Sequence, residues 1–585
     1  MDEFDNNLPD QKELEREIGD YLTKKYGRRV KIVSSGMLPF PMAEEEGGEK
    51  PAVVTAERFR FDLTPEELIA WLDEHVVRQD EAKAILATKI CTHFNRISQA
   101  LDKPAQTRRN IGRIKSNVLL MGPTGVGKTF LIKLIAQRLG VPFIKGDATK
   151  FSETGYVGGD VEDLVRDLVR DADGDIERAQ YGIIYVDEID KIAASQNRIG
   201  ADVSRTGVQR ALLKPMEETE VELKVPHDPV SQIEAIEHYR ATGKRERRVV
   251  NTRNILFIMS GAFGGLEEII RKRVQQQSMG FESAVSSVKG SSRFLKQVKA
   301  EDLIEFGFES EFVGRLPVIA VLDELSEEDF FQILINPNSA VVVAKKQDFA
   351  AYGIRLLFED EALREVARLA IAERTGARGL VSVLEKVLLH YEKKLPSTAI
   401  RHLVVTAAVV HAPKAELAKL LTDPLAQEAQ RIRFDALLAT EHQRLIDFIL
   451  AKMGGYLEEH QMLATPDRLR LMARESLECN LDPRDVCDSF IRLVAAIHGC
   501  EQTISEKSGV RVVFSEEAID SMLSREPRSP ETINTVCGQV LQAMEYGLRL
   551  MAQKRGIEQV VIPQEGIDQP EKYINRLVSE TFRTE

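Results

Sequence analysis

No apolar run in the 585 residues is long enough to cross a membrane as a helix, which excludes a helical membrane protein. The start of the chain, Met1-Asp2-Glu3-Phe4-Asp5, has neither a basic n-region nor an apolar h-region. No secretory signal is therefore expected, and a cytoplasmic location is. Cysteine is scarce: Cys91, Cys479, Cys487, Cys500 and Cys537 form no C-x-x-C pair. A structural zinc site is thus not expected, and scattered thiols fit a reducing compartment. Basic residues are the minority, 79 against 92 acidic, for a net charge of −13. That balance opposes a broad nucleic-acid-binding surface and leaves room only for a local basic patch. What remains is an ordinary globular composition, 43% hydrophobic and 29% charged. The length exceeds one core, and at roughly 100–200 residues per domain about three to five domains are expected.

The chain is organised around Gly122-Pro123-Thr124-Gly125-Val126-Gly127-Lys128-Thr129, which fills every fixed position of the phosphate-loop pattern. Asn117 to Met121 reads as a short buried parallel strand. Phe130 to Leu139 has apolar side chains at helical spacing. The glycines therefore sit where a strand turns into a helix. Backbone N–H groups there close around phosphates, and the helix N-terminus favours negative charge. Lys128 is placed for the β- and γ-phosphates, and Thr129 offers a hydroxyl to Mg²⁺.

A second apolar strand, Gly182 to Val186, ends in Asp187-Glu188. Asp187 suits Mg²⁺, directly or through water, and Glu188 suits orienting the attacking water. A third buried strand, Ile255 to Ser260, ends in a hydroxyl that reads as a γ-phosphate sensor or as a cap. Arg315 precedes a proline stop, and Arg378 opens a helix running to about Lys394; either also reads as a surface salt-bridge residue. Gly155-Tyr156-Val157-Gly158 taken alone is a turn with a packed tyrosine. The basic run Lys244 to Arg248 reads as a solvated loop. An internal repeat runs late in the chain: Gly353 to Phe358 and Glu361-Ala362-Leu363 return as Gly509 to Phe514 and Glu517-Ala518-Ile519. Leu403-Val404-Val405 returns as Val560-Val561-Ile562, and Glu531 falls where Arg378 stands. A carboxylate there repels phosphate, so no nucleotide role is expected for the second copy.

These motifs, in this order from about Leu63 to Leu420, resemble the AAA+ ATPases of the ClpX and HslU group, closer to ClpX. The resemblance implies an α/β chain: a P-loop large domain of parallel sheet with helices on both faces, and an α+β small domain. The expected organisation is an N-terminal element and linker at 1–60, the large domain at 61–322 and the small domain at 323–415. A helical extension at 416–500 and a degenerate repeat of the small domain at 501–585 follow. By resemblance Val76, Val77 and Gln79 contact adenine, Asp187 and Glu188 are the Walker B pair, and Ser260 lies by the nucleotide. Arg315 is the finger reaching a neighbour's nucleotide, and Arg378 is the sensor arginine. Tyr156 and Val157 become a pore loop gripping a translocating polypeptide. Met279-Gly280-Phe281 stands where ClpX carries the tripeptide that docks on the ClpP peptidase; folded back onto its own domain, it is structural.

The implied activity is ATP-driven protein unfolding by a homo-hexamer, on unfolded or tagged proteins, alone or with a ClpP-like peptidase. A nucleic-acid motor or loader is the alternative. The sequence departs from the family in three places. It has no zinc-binding N-terminal domain, Arg78 replaces a glycine, and Pro215 is expected to interrupt the helix after Gln209.

Overall fold

The computed structural model describes residues 61–102, 115–151, 159–193, 203–223, 248–278, 291–555 and 557–583. The N-terminal element, Tyr156 and Val157, the basic run up to Arg247, and Met279 to Phe281 lie outside the described residues.

The strands of the first part are β1 (Val118–Met121), β2 (Phe143–Asp147), β3 (Ile183–Asp187), β4 (Glu220–Glu222), β5 (Val249–Asn251), β6 (Leu256–Gly261) and β7 (Val318–Val321). Five form one sheet in the order β2-β3-β6-β1-β7, and each pairing is parallel. Apolar runs make this possible. β1 and β6 are buried at every position, so both sheet faces must be covered. Strand alternation then divides the core in two. Leu119, Met121, Ile184, Val186, Phe257 and Met259 pack on one face. Val118, Leu120, Ile183, Tyr185, Leu256 and Ile258 pack on the other, with the helices next to the phosphate loop.

Those helices are α1 (Pro65–His75), α2 (Asp80–Asp102) and α3 (Lys128–Leu139). Thr64 and Glu67 start α1 with a reciprocal capping box and Pro65 in the first turn. α4 (Asp163–Asp171), α5 (Val203–Met216) and α6 (Leu266–Ser278) follow. Pro215 does not interrupt α5 as expected. It sits in the last turn, and the Glu217 N–H still reaches the Leu213 carbonyl at 3.1 Å. A proline this close to a helix end forfeits one hydrogen bond without breaking the rest.

After α7 (Ser310–Gly314) and β7, the order is α8 (Glu327–Ile335), α9 (Ala340–Ala350), β8 (Arg355–Phe358), α10 (Asp360–Ala372), α11 (Arg378–Lys394), β9 (His402–Val405), α12 (Ala407–His411) and α13 (Pro413–Thr422). β8 and β9 pair in parallel over one apolar core. A 36-residue helix, α14 (Pro424–Glu459), then leads into the same order again. The second series is α15 (Pro466–Cys479), α16 (Pro483–Ser508), β10 (Arg511–Phe514), α17 (Glu516–Leu523), α18 (Pro530–Arg555), β11 (Gln559–Ile562), α19 (Gln564–Asp568) and α20 (Pro570–Arg583). β10 and β11 are again parallel. The recurrence thus reaches back to Pro466, ahead of the boundary at 501 read from sequence. The two helices before β10 are 14 and 26 residues long against 9 and 11 in their counterparts, so only the strands and the helices after them betrayed the copy.

α14 joins the two series. Phe434 near its start covers Leu357 and Val404 of the first, while Leu445, Ile449 and Met453 enter the core of the second. Cys500 and Cys537 correct the expectation of scattered thiols: they form a disulfide between α16 and α18. Among the described residues no helix is long and apolar enough to cross a membrane.

Candidate functional site

β1 ends at Met121, and the chain turns through three glycines with positive φ: Gly122 at 151°, Gly125 at 79° and Gly127 at 95°. Side chains rarely adopt such backbone, which accounts for glycine at these places. Gly127 stands before α3 and no side chain caps that helix. Its first-turn N–H groups face the loop, an arrangement suited to phosphate oxygens. Lys128 Nζ donates to the carbonyls of Gly122 and Pro123 at 2.6 and 2.8 Å. Burial, helped by the Arg378 charge, pushes Lys128 down to about 8, against the pull of Asp187 and Asp190. Phosphate oxygens would reverse that balance.

Thr129, on the first turn of α3, lies over the carboxyl ends of β3 and β6. Its Oγ1 is 3.4 Å from Asp187 Oδ2. Ser260 Oγ, buried on β6, donates to Asp187 Oδ1 at 2.6 Å. Burial alone would raise the Asp187 carboxyl, but hydrogen bonds from Lys145 and Ser260 outweigh it and hold it below its ordinary value. Thr129 and Asp187 offer hard oxygens on one side of the loop, the donor type Mg²⁺ takes, and phosphate oxygens would complete the coordination. Glu188 is exposed and has φ 57°, a left-handed conformation costing about 1–3 kcal/mol for a non-glycine residue. At this turn the Glu188 N–H donates to Asp187 Oδ1 at 3.0 Å.

Two members of this cluster escaped the sequence reading. Tyr185 OH lies 2.6 Å from Ser260 Oγ, whose one proton goes to Asp187, and 3.1 Å from Thr129 Oγ1. Burial drives its pKa up to about 12. Lys145 Nζ pairs with Asp187 Oδ2 at 2.8 Å. The strand period held the signal. Tyr185 is two residues before Asp187 on one face of β3, and Lys145 is its partner in register on β2.

Arg378 opens α11 beside the phosphate loop. The Ala377 N–H donates to the Gly125 carbonyl at 2.8 Å. Gly125 and Gly376 meet backbone to backbone, so that a Cβ on Gly376 would lie 2.6 Å from the Thr124 carbonyl oxygen. Val76 and Val77 are half-buried just past α1. Gln79 is buried and exchanges two hydrogen bonds with the Asp323 backbone at 2.9 and 2.7 Å. Arg78 has φ 61°, where glycine is at ease. Its guanidinium compensates by binding Asp329 at 2.7 Å and the Glu324 carbonyl at 3.2 Å.

Arg315 is not near this cluster. Its carbonyl accepts from Asn117 Nδ2 at 3.2 Å, at the amino end of β1, and its side chain is exposed and paired with Glu217. The phosphate loop follows the other end of β1, about 13 Å away at roughly 3.3 Å per residue. The arginine therefore faces away from its own chain's loop.

Residues 113–319 match the family model described as an AAA domain (Cdc48 subfamily). The chain is 40% identical over 371 residues to the ATP-dependent Clp protease ATP-binding subunit ClpX of Borrelia duttonii, an alignment covering 62% of this chain and 81% of that protein. The ClpX subunit of Borrelia recurrentis gives the same figures, 40% over 371 residues, with 62% and 81% covered. That of Treponema denticola is 39% identical over 338 residues, covering 57% of this chain and 78% of the relative.

Proposed function

Because the chain belongs to the ClpX family and is an AAA+ ATPase, we propose that it unfolds or remodels proteins with the energy of ATP, as a homo-hexameric ring that threads polypeptide through its pore. The observation that carries this reading is the meeting of four elements at one loop. Lys128 and Thr129 on α3, Asp187-Glu188 at the end of β3, Ser260 on β6 and Arg378 on α11 surround the carboxyl end of β1. In this reading the loop N–H groups and Lys128 bind the phosphates, and Val76, Val77 and Gln79 take the adenine. Thr129 and Asp187 hold Mg²⁺, which when bound neutralises phosphate charge. Tyr185 and Ser260 fix the orientation of both ligands to it. Glu188 orients the attacking water and accepts its proton.

Arg315 acts in trans. Its place at the opposite end of β1 supports a nucleotide site completed by a neighbouring subunit. Arg378 couples the state of the phosphates to α11, and through it to the α8–α13 unit. Hydrolysis would then turn that unit against the sheet domain and drive Tyr156 and Val157 along a substrate. Met279-Gly280-Phe281 would dock on a ClpP-like peptidase, six loop contacts acting together by avidity.

The test is a trap. Glu188→Gln should bind ATP without turnover, assemble into rings and retain protein substrates that can be eluted with ADP. Undiminished hydrolysis in Glu188→Gln would remove that residue from the mechanism.

A further inference from the structure

The end of α1 leads directly into Val76–Gln79, and the C-terminal series grips that end. Glu74 is buried at 2% exposure, and its Oε1 receives Arg484 Nη1 at 2.6 Å. Its Oε2 is buried without a hydrogen-bond partner among the described residues. Arg484 belongs to the first turn of α16, and its guanidinium lies 4.3 Å from the ring centroid of Tyr456 on α14. The neighbouring His75 meets Asp482, the N-cap of α16, at 3.2 Å, and its other ring nitrogen lies 3.1 Å from the Trp71 carbonyl. The Glu74 carbonyl is held from a third side, by Asn336 Nδ2 at 2.9 Å, just past α8.

The same C-terminal series is anchored to the first. Arg444 on α14 binds Asp360 with two hydrogen bonds of 2.7 and 2.6 Å, and Lys346 binds Glu441 at 2.9 Å. The segment 322–326 is the covalent link between the sheet domain and α8. α14 to α16 form a second connection in parallel with it, ending two residues from Val76.

We propose that Arg484 and Asp482 are positioning residues for nucleotide binding: the C-terminal series braces the joint between the two ATPase parts and fixes the adenine-side segment. The proposal rests on the reading of Val76, Val77 and Gln79 as that segment. Burial opposes the charge on Glu74, and Arg484 is the main group holding it against that burial, with His75 adding less, so losing Arg484 frees the end of α1 to shift. Asp482→Asn keeps an N-cap oxygen but withdraws the charge from His75. The brace also assigns the C-terminal series an effect on nucleotide affinity that the charge at Glu531 does not predict.

The chain's one tryptophan reports the event, because Trp71 packs on His75 in a tilted contact with ring centroids 4.6 Å apart. The full-length protein is titrated with ATP and Mg²⁺, following Trp71 emission and a fluorescent ATP analogue. Arg484→Ala is expected to weaken ATP binding about tenfold or more, with turnover at saturating ATP within about threefold of wild type. Arg484→Lys should recover part of the affinity, and Asp482→Asn should shift Trp71 emission and weaken binding severalfold. The control is Arg528→Ala, which breaks a 2.6 Å pair with Glu475 inside the C-terminal series and should leave ATP affinity unchanged. Wild-type ATP affinity in both Arg484→Ala and Asp482→Asn overturns the proposal, as does an equal loss in Arg528→Ala. If Arg484→Ala does not fold, Asp482→Asn decides alone. Failure of the wild-type chain to bind ATP at all would instead sink the nucleotide reading.

Discussion

Replacing Gly376 by alanine should cripple the nucleotide site from a residue that touches no nucleotide in our account. The new Cβ would lie 2.6 Å from the Thr124 carbonyl oxygen and 2.7 Å from Gly125 carbonyl carbon and Cα, all backbone of the phosphate loop. No flexible side chain stands there to yield, so the loop or the α11 start must move. The φ of 66° adds strain, about 1–2 kcal/mol for a residue with a Cβ. Separation also breaks the Ala377–Gly125 hydrogen bond of 2.8 Å, worth about 0.5–1.5 kcal/mol net. Together these reach about 2–3 kcal/mol, or roughly 30- to 150-fold in the population of the closed contact at 1.4 kcal/mol per tenfold. Arg378 leaves the phosphates with it. Steady-state ATPase kinetics on Gly376→Ala should show kcat/KM reduced by about 10- to 100-fold. The melting temperature should change little, since the contact joins two separately cored parts. Gly125→Ala clashes with Thr375 and Gly376 from the other side, and the double variant should be far from additive. Wild-type kinetics in Gly376→Ala would refute the coupling of α11 to the phosphate loop.

The other predictions concern the site itself. Lys128→Ala removes charge-assisted bonds worth about 1.5–3 kcal/mol, so ATP affinity by calorimetry should fall by roughly 10- to 150-fold. Tyr185→Phe keeps the ring but unties Thr129 from Ser260, and kcat should drop about threefold to tenfold with a higher Mg²⁺ requirement. Arg315→Ala should abolish most turnover, and mixing it with Glu188→Gln subunits should restore some activity at interfaces pairing one intact site with one intact arginine. If no ratio restores any, the trans arrangement is wrong.

How much of this was legible depends on how local each signal is. The phosphate loop and the Asp187-Glu188 strand end read directly, because glycine spacing and an apolar run are contiguous in sequence. Tyr185 and Lys145 did not, since their roles depend on strand register between β2 and β3, which no single segment contains. Pro215 read as a breaker, but its cost depends on its distance from the helix end, which the sequence leaves vague. The repeat was visible at β10 and β11 because strands keep a period of two. Its front half was not, because helices need only an apolar stripe and α16 grew much longer than α9. Arg78 looked like a defect beside a family glycine. The fold shows the left-handed backbone that glycine would ease, and a guanidinium bridging to Asp329 instead. Cys500 and Cys537, on different helices, lie 37 residues apart in sequence, beyond any spacing rule for lone thiols.

The central claim is that ATP hydrolysis by this chain is coupled to protein and not to nucleic acid. The most direct measurement is the steady-state ATPase rate of the assembled, full-length protein, alone, with a permanently unfolded polypeptide, and with duplex DNA of matched mass. Our account predicts a severalfold rise with the polypeptide, lost in Tyr156→Ala, and no rise with DNA. Stimulation by DNA with none by polypeptide would contradict it.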